Sequence, residues 1–195
     1  MIKIDNINKN ESKIETNNIN NTYIKESKIL EILDSLKPEQ VISYISNYIV
    51  NLLIKNRDKT KININGINDP LYSNKIPMIK IEDYFIRLYK YSHMDLTTLI
   101  LSFIYIKRFI DKENFIIAFN NIFRLIISCT LLAIKFNENR IFKNIIYAKI
   151  GGLEIEDLNN LEFNVFNRLD FNLNVFDNEF YGIISKIHND NLNNT

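Results

Sequence analysis

Two charged residues stand where the surrounding pattern requires apolar ones. Leu158, Leu161, Val165 and Leu169 recur at helical spacing, and Glu162 lies inside that stripe, four residues after Leu158 and seven before Leu169. Lys135 follows Leu132 by three positions, immediately precedes Phe136, and projects from the end of the most apolar segment of the chain. The chemistry open to such a carboxylate and ammonium is charge-assisted hydrogen bonding at the edge of a core. Removing one partner of a buried ion pair costs on the order of 3 to 5 kcal/mol, so each group requires a partner. The partners can be each other, as an internal Lys135 to Glu162 pair that ties two helices together, or groups on a second protein.

Residue types suited to catalysis are present but lack its spacing. His93 and His188 are far apart, and neither belongs to a ligand-spaced set with Cys, Asp or Glu, so both read as surface or helix-end residues. Cys129 lies in an apolar run, where it acts as a small buried hydrophobe; as the single cysteine it cannot form an intramolecular disulfide, which fits a reducing compartment. Gly151-Gly152 is the only glycine cluster and has the spacing of neither phosphate-binding loop, and no kinase catalytic-loop or Asp-Phe-Gly sequence occurs. A triad of scattered Ser, His and Asp can be drawn through almost any sequence and carries little weight. The expectation is a non-enzyme with no catalytic residue, no metal site and no cofactor.

Lys and Arg number 24 against 23 Asp and Glu, for a net charge of +1, and the two signs alternate along the chain. No field draws in nucleic acid or an anionic membrane, and Lys143 and Lys149 read as solvated charges. No signal-peptide core and no run of roughly 18 to 20 apolar residues is present, so a soluble intracellular protein of the nucleus and/or cytoplasm is expected. The abundance of Asn, Ile and Lys fits the codon bias of an AT-rich genome, such as that of a protist. That bias accounts for asparagines in unusual places and removes weight from any motif built on Asn alone.

The elements that must hold Lys135 and Glu162 are helices. With 46% hydrophobic residues but only 4 Gly and 3 Pro, the chain favours few, long regular elements around one core. Residues 1–28 read as a disordered polar tail and 29–55 as an N-terminal helical segment. In it Ile29 to Leu36 form a short amphipathic turn, Pro38 sits at the first position of a helix, and Val41, Ile42, Ile45, Ile49, Leu52 and Leu53 line one face. Residues 56–77 form a connecting loop in which Ile62 and Ile64 alternate as in a strand without a partner.

Residues 78–180 carry five helices, and 181–195 a C-terminal helix end and tail. The first helix runs from about Ile79 to Ser92, and Asp95 caps the second, whose stripe is Leu99, Ile100, Phe103, Ile106 and Ile110. Asn120 or Asn121 caps the third, which is apolar almost all round from Ile122 to Phe136 and therefore belongs at the centre. A short fourth spans Asn144 to Ile150, with Gly151 placed to end it in the left-handed conformation. The fifth spans Glu154 to Leu169, and a sixth candidate runs from Asp177 to Ile187.

Six strings then resemble, in order, the cyclin box of P/U-type cyclins, the group that includes yeast phosphate-pathway cyclins. They are Tyr72 to Ile79 with Tyr84 to Tyr91; Phe103 to Phe109, similar to a motif ending Y-I-D-R; Asn121 to Leu125, similar to N-x-H-R-L; Leu132 to Phe136, similar to A-x-K-F; Tyr147 to Gly152, similar to Y-A-K-V-G-G; and Leu158 to Glu162, similar to L-N-x-L-E. The resemblance covers about Tyr72 to Phe180 and implies an all-α fold: a single five-helix cyclin box with an additional N-terminal helix and a C-terminal helix. Because the chain ends soon after the sixth helix, one box is expected.

The resemblance also implies a function, that of a regulatory subunit that binds and activates a cyclin-dependent protein kinase as a heterodimer, in cell-cycle or nutrient-linked control. In the family the third-helix Lys and fifth-helix Glu contact the kinase near its C-helix; by position these are Lys135 and Glu162, with Phe136, Leu132 and Leu158 as the apolar surround. Three departures limit the transfer. Lys107 replaces the Asp of the second-helix motif, Phe123 replaces the His of N-x-H-R-L, and the M-R-A-I-L substrate-docking sequence of mitotic cyclins is missing. An internal Arg to Asp pair and that mode of substrate recruitment are therefore not implied. The alternative is a cyclin-fold adaptor or transcription-factor-like module with no kinase partner.

Overall fold

A computed structural model describes residues 27–58 and 69–193, and every regular element among the described residues is a helix. In chain order these are α1 (residues 27–35), α2 (Pro38–Asn56), α3 (Ile81–Ser92), α4 (Leu96–Glu113), α5 (Ile122–Asn137), α6 (Asn144–Gly151), α7 (Ile155–Arg168) and α8 (Asp177–Asn193). The polar tail up to residue 26 and the alternating pair Ile62 and Ile64 lie outside the described residues. The described residues divide into two compact units, residues 37–183 and, separately, 27–36 with 184–193. The helix of residues 27–35 takes in residues 27 and 28, which the sequence assigns to the tail, and most of the stretch from Ile29 to Leu36, where it suggests only a turn. α8 runs six residues past the expected Ile187.

Local chemistry sets the helix starts in the larger unit. Pro38 occupies the first turn of α2, where its missing N–H costs nothing, and the Lys37 N–H donates to Gln40 Oε1 at 2.9 Å. Asp95 caps α4 by accepting from the Thr98 N–H at 2.7 Å. Asn121 precedes α5 as expected but does not cap it. Its side chain accepts from Ala118 N–H at 2.8 Å and donates to the Ile116 carbonyl at 3.0 Å, so it pins the preceding turn.

α5 is the central helix. Every residue from Ile122 to Ile134 is buried except the half-buried Arg124, and the helix packs against α4 and α7. α4 is nearly as enclosed, with Thr98 to Ile106 all buried instead of the single stripe its spacing suggests. Two departures from the family motifs find physical partners here. The Lys107 ammonium sits 4.8 Å over the Tyr48 ring and donates to its hydroxyl at 3.3 Å, binding α4 to α2. Phe123 packs edge-on against Tyr84 with ring centroids 5.2 Å apart, an apolar contact that a histidine would make less well.

The end of α6 corrects the expectation for Gly151. The left-handed residue is Gly152, at φ 72. Gly151 is the last helical residue and is small for another reason: a Cβ there would meet Ile127 Cγ1 at 3.0 Å and the Tyr84 hydroxyl at 3.4 Å. That hydroxyl donates to the Gly151 carbonyl at 3.2 Å, so α6 is held against α3 and Ile127 of α5 at a spacing that a Cβ would crowd. Gly151→Ala is expected to destabilise by about 1 to 3 kcal/mol, read as a lowered denaturation midpoint; an unchanged midpoint would show that Ile127 yields freely.

Candidate functional site

Lys135 lies in the last turn of α5 and Glu162 in the middle of α7, and the packing of those helices brings them together. Lys135 Nζ approaches Glu162 Oε1 at 2.6 Å and Oε2 at 2.8 Å. Their side chains are 34% and 18% exposed, so the couple sits at the core's edge with one side open to solvent. An ammonium has three N–H donors, and one carboxylate does not use them all.

Asn144, the first residue of α6, joins the couple. Its Nδ2 donates to Glu162 Oε2 at 2.9 Å and to Asn159 Oδ1 at 2.7 Å. Sequence reasoning missed Asn144 and Asn159 because asparagine is so frequent in this chain that neither stands out. The only hint was positional, since Asn159 lies three residues before Glu162 on the same helical face.

Exposed apolar side chains flank the two charges in sequence. Phe136, next to Lys135, is 53% exposed and Phe163, next to Glu162, 65% exposed; Ile141, Phe142, Ile145 and Ile146 are also exposed between the end of α5 and the first turn of α6. Leu132 and Leu158 require a correction as candidate contact residues: both are buried in the core. They face inward because α5 and α7 pack on each other, and so they can support a binding surface without forming it.

The other candidate groups are structural in their surroundings. Burial alone pushes the Cys129 thiol well above its ordinary value; it is a core residue on α5. His93 ends α3 in the left-handed conformation, with its ring edge-on to Phe142 at 6.0 Å. Arg108 pairs with Glu179, Nε to Oε1 at 2.9 Å, and Arg124 with Asp157 at 3.1 Å. Among the described residues no group of three or more His, Cys, Asp or Glu is placed to hold a metal ion, and no helix is long and apolar enough to cross a membrane.

The described residues form an all-helical body whose α5 and α7 carry a partly exposed ion pair beside exposed Phe136. The family model described as Cyclin matches residues 4–173. The chain is 31% identical over 160 residues to Cyclin-U3-1 of Arabidopsis thaliana, covering 82% of this chain and 72% of that protein. It is 33% identical over 144 residues to Cyclin-U2-1 of the same plant, covering 73% and 65%, and 28% identical over 144 residues to Cyclin-P3-1 of Oryza sativa subsp. japonica, covering 73% and 61%. The chain belongs to the cyclin family and is of the P/U type.

Proposed function

We propose that this cyclin is the non-catalytic regulatory subunit of a cyclin-dependent protein kinase, which it binds as a heterodimer and activates. The reading is carried by one observation: the two charges at the positions the family uses for its partner, Lys135 on α5 and Glu162 on α7, meet each other at the edge of the core, with Phe136 exposed next to Lys135. An active kinase needs its own Lys to Glu pair in place, and that Glu rides on a C-helix that can swing outward. A surface that binds only the inward position shifts the population toward activity. Moving such an equilibrium from 1:99 to 99:1 requires about 5.5 kcal/mol of differential binding. An interface of standard size, roughly 1,200 to 2,000 Å², can supply that.

In this reading the spare donors of Lys135 and lone pairs of Glu162 meet polar groups of the C-helix, while Phe136 packs against its apolar side. Phosphoryl transfer belongs wholly to the partner, in the nucleus and/or cytoplasm, and neither nucleic acid nor membrane takes part. Control of the cell cycle or of a nutrient response is the process proposed. The test is purification of the tagged full chain from its native cells, followed by kinase assay. The expected result is a co-purifying cyclin-dependent kinase whose activity rises when recombinant chain is added. Recovery of a polymerase or DNA complex with no kinase would instead support the adaptor alternative.

A further inference from the structure

From the hydrogen bonds around Glu162 we infer that Asn144 is a positioning residue for kinase recognition, one that fixes the carboxylate from a third helix. The inference rests on the proposed function and goes beyond it by assigning a role to a residue that lies outside the strings resembling the family but bonds to Glu162 within one of them. Lys135 alone holds Glu162 through a single flexible ammonium, about which a carboxylate can pivot. Asn144 adds a donor from a different direction, on Oε2 at 2.9 Å. Two donors on separate helices triangulate a carboxylate where one does not.

The amide itself is held. Both contacts of Asn144 Nδ2 are to oxygens, Glu162 Oε2 and Asn159 Oδ1. A carboxylate accepts and cannot donate, so the amide nitrogen must face it. Asn159 fixes the plane of that amide from the same helix that carries Glu162. α6 also begins at Asn144 with no acidic residue in its first turn, so the positive end of its dipole favours the neighbouring carboxylate. The result is a pre-oriented acceptor with one side open to solvent, which spares an incoming partner the cost of ordering it.

The test is a double-mutant cycle on the full chain, with affinity for the co-purified kinase measured by titration calorimetry. Asn144→Ala is expected to weaken binding about fivefold to tenfold, the order of an ordinary net hydrogen bond, because the residue acts through Glu162 and does not touch the partner itself, and to have no further effect in a Glu162→Gln background. Asn144→Asp, which sets a like charge against Glu162, is expected to weaken binding more, with Glu162→Gln restoring part of the loss. An equal loss from Asn144→Ala in both backgrounds, or none in either, would overturn the positioning role. Failure of Glu162→Gln itself to weaken binding would overturn the interface reading on which it stands.

Discussion

Exchanging the two charges, as Lys135→Glu with Glu162→Lys, is expected to leave the domain folded and to weaken kinase binding at least about a hundredfold. The swap separates the two roles open to the pair. As an internal tie it needs only opposite signs on α5 and α7, and the exchange keeps these. As a recognition element it must offer a donor from α5 and an acceptor from α7 to fixed groups on the partner, and the exchange reverses both. The stability at stake is small because the exchange keeps opposite signs in the pair and the Lys135 side chain is 34% exposed: a change of about 1 kcal/mol or less is expected, or roughly 2 to 4 °C in Tm for a chain of this size. The double Ala variant is expected to agree, folded by circular dichroism and defective in kinase activation. Full activation by the exchanged variant would make the pair a structural tie and nothing more.

The largest loss of stability is expected at Arg168, the last residue of α7. Its Nε donates to Glu113 Oε2 at 2.7 Å and an NH group donates to Asp69 Oδ2 at 2.8 Å. Its guanidinium carbon lies 4.5 Å from the centroid of Phe109 and 5.5 Å from that of Phe115. One side chain thus joins α7, the end of α4 and the segment that leads toward α3. All three charged groups are largely buried, so Arg168→Ala leaves two carboxylates without their cation and two rings without their cover.

The expected cost is about 3 kcal/mol, at the lower end for breaking a buried pair because each group keeps some solvent contact. For a chain of this length that lowers Tm by about 6 to 12 °C. Arg168→Lys keeps the charge but cannot reach both carboxylates in a fork or stack flat on the rings, and an intermediate drop is expected. Melting of the Ala variant within about 2 °C of the unchanged protein would mean that the cluster is ornamental to stability.

Much of this architecture is legible in the sequence because apolar periodicity reports directly which side of a helix is buried. The central position of α5 follows from its lack of a polar face, the start of α4 from Asp95, and the special standing of Lys135 and Glu162 from their intrusion into apolar stripes. Each is a local property, fixed by residue type and spacing within a few turns of one helix.

What only the tertiary structure decided is how separate elements approach one another. Periodicity marks Leu132 and Leu158 as part of the apolar surround, but the packing of α5 on α7 buries both. It cannot say which of two adjacent glycines turns the chain and which admits Ile127. Nor can it select Asn144 from a chain rich in asparagine, or join Arg168 to Asp69 across 99 positions. Hydrogen bonds and close approaches depend on differences of a few tenths of an ångström in the separation of residues remote in sequence, and no local pattern encodes those separations.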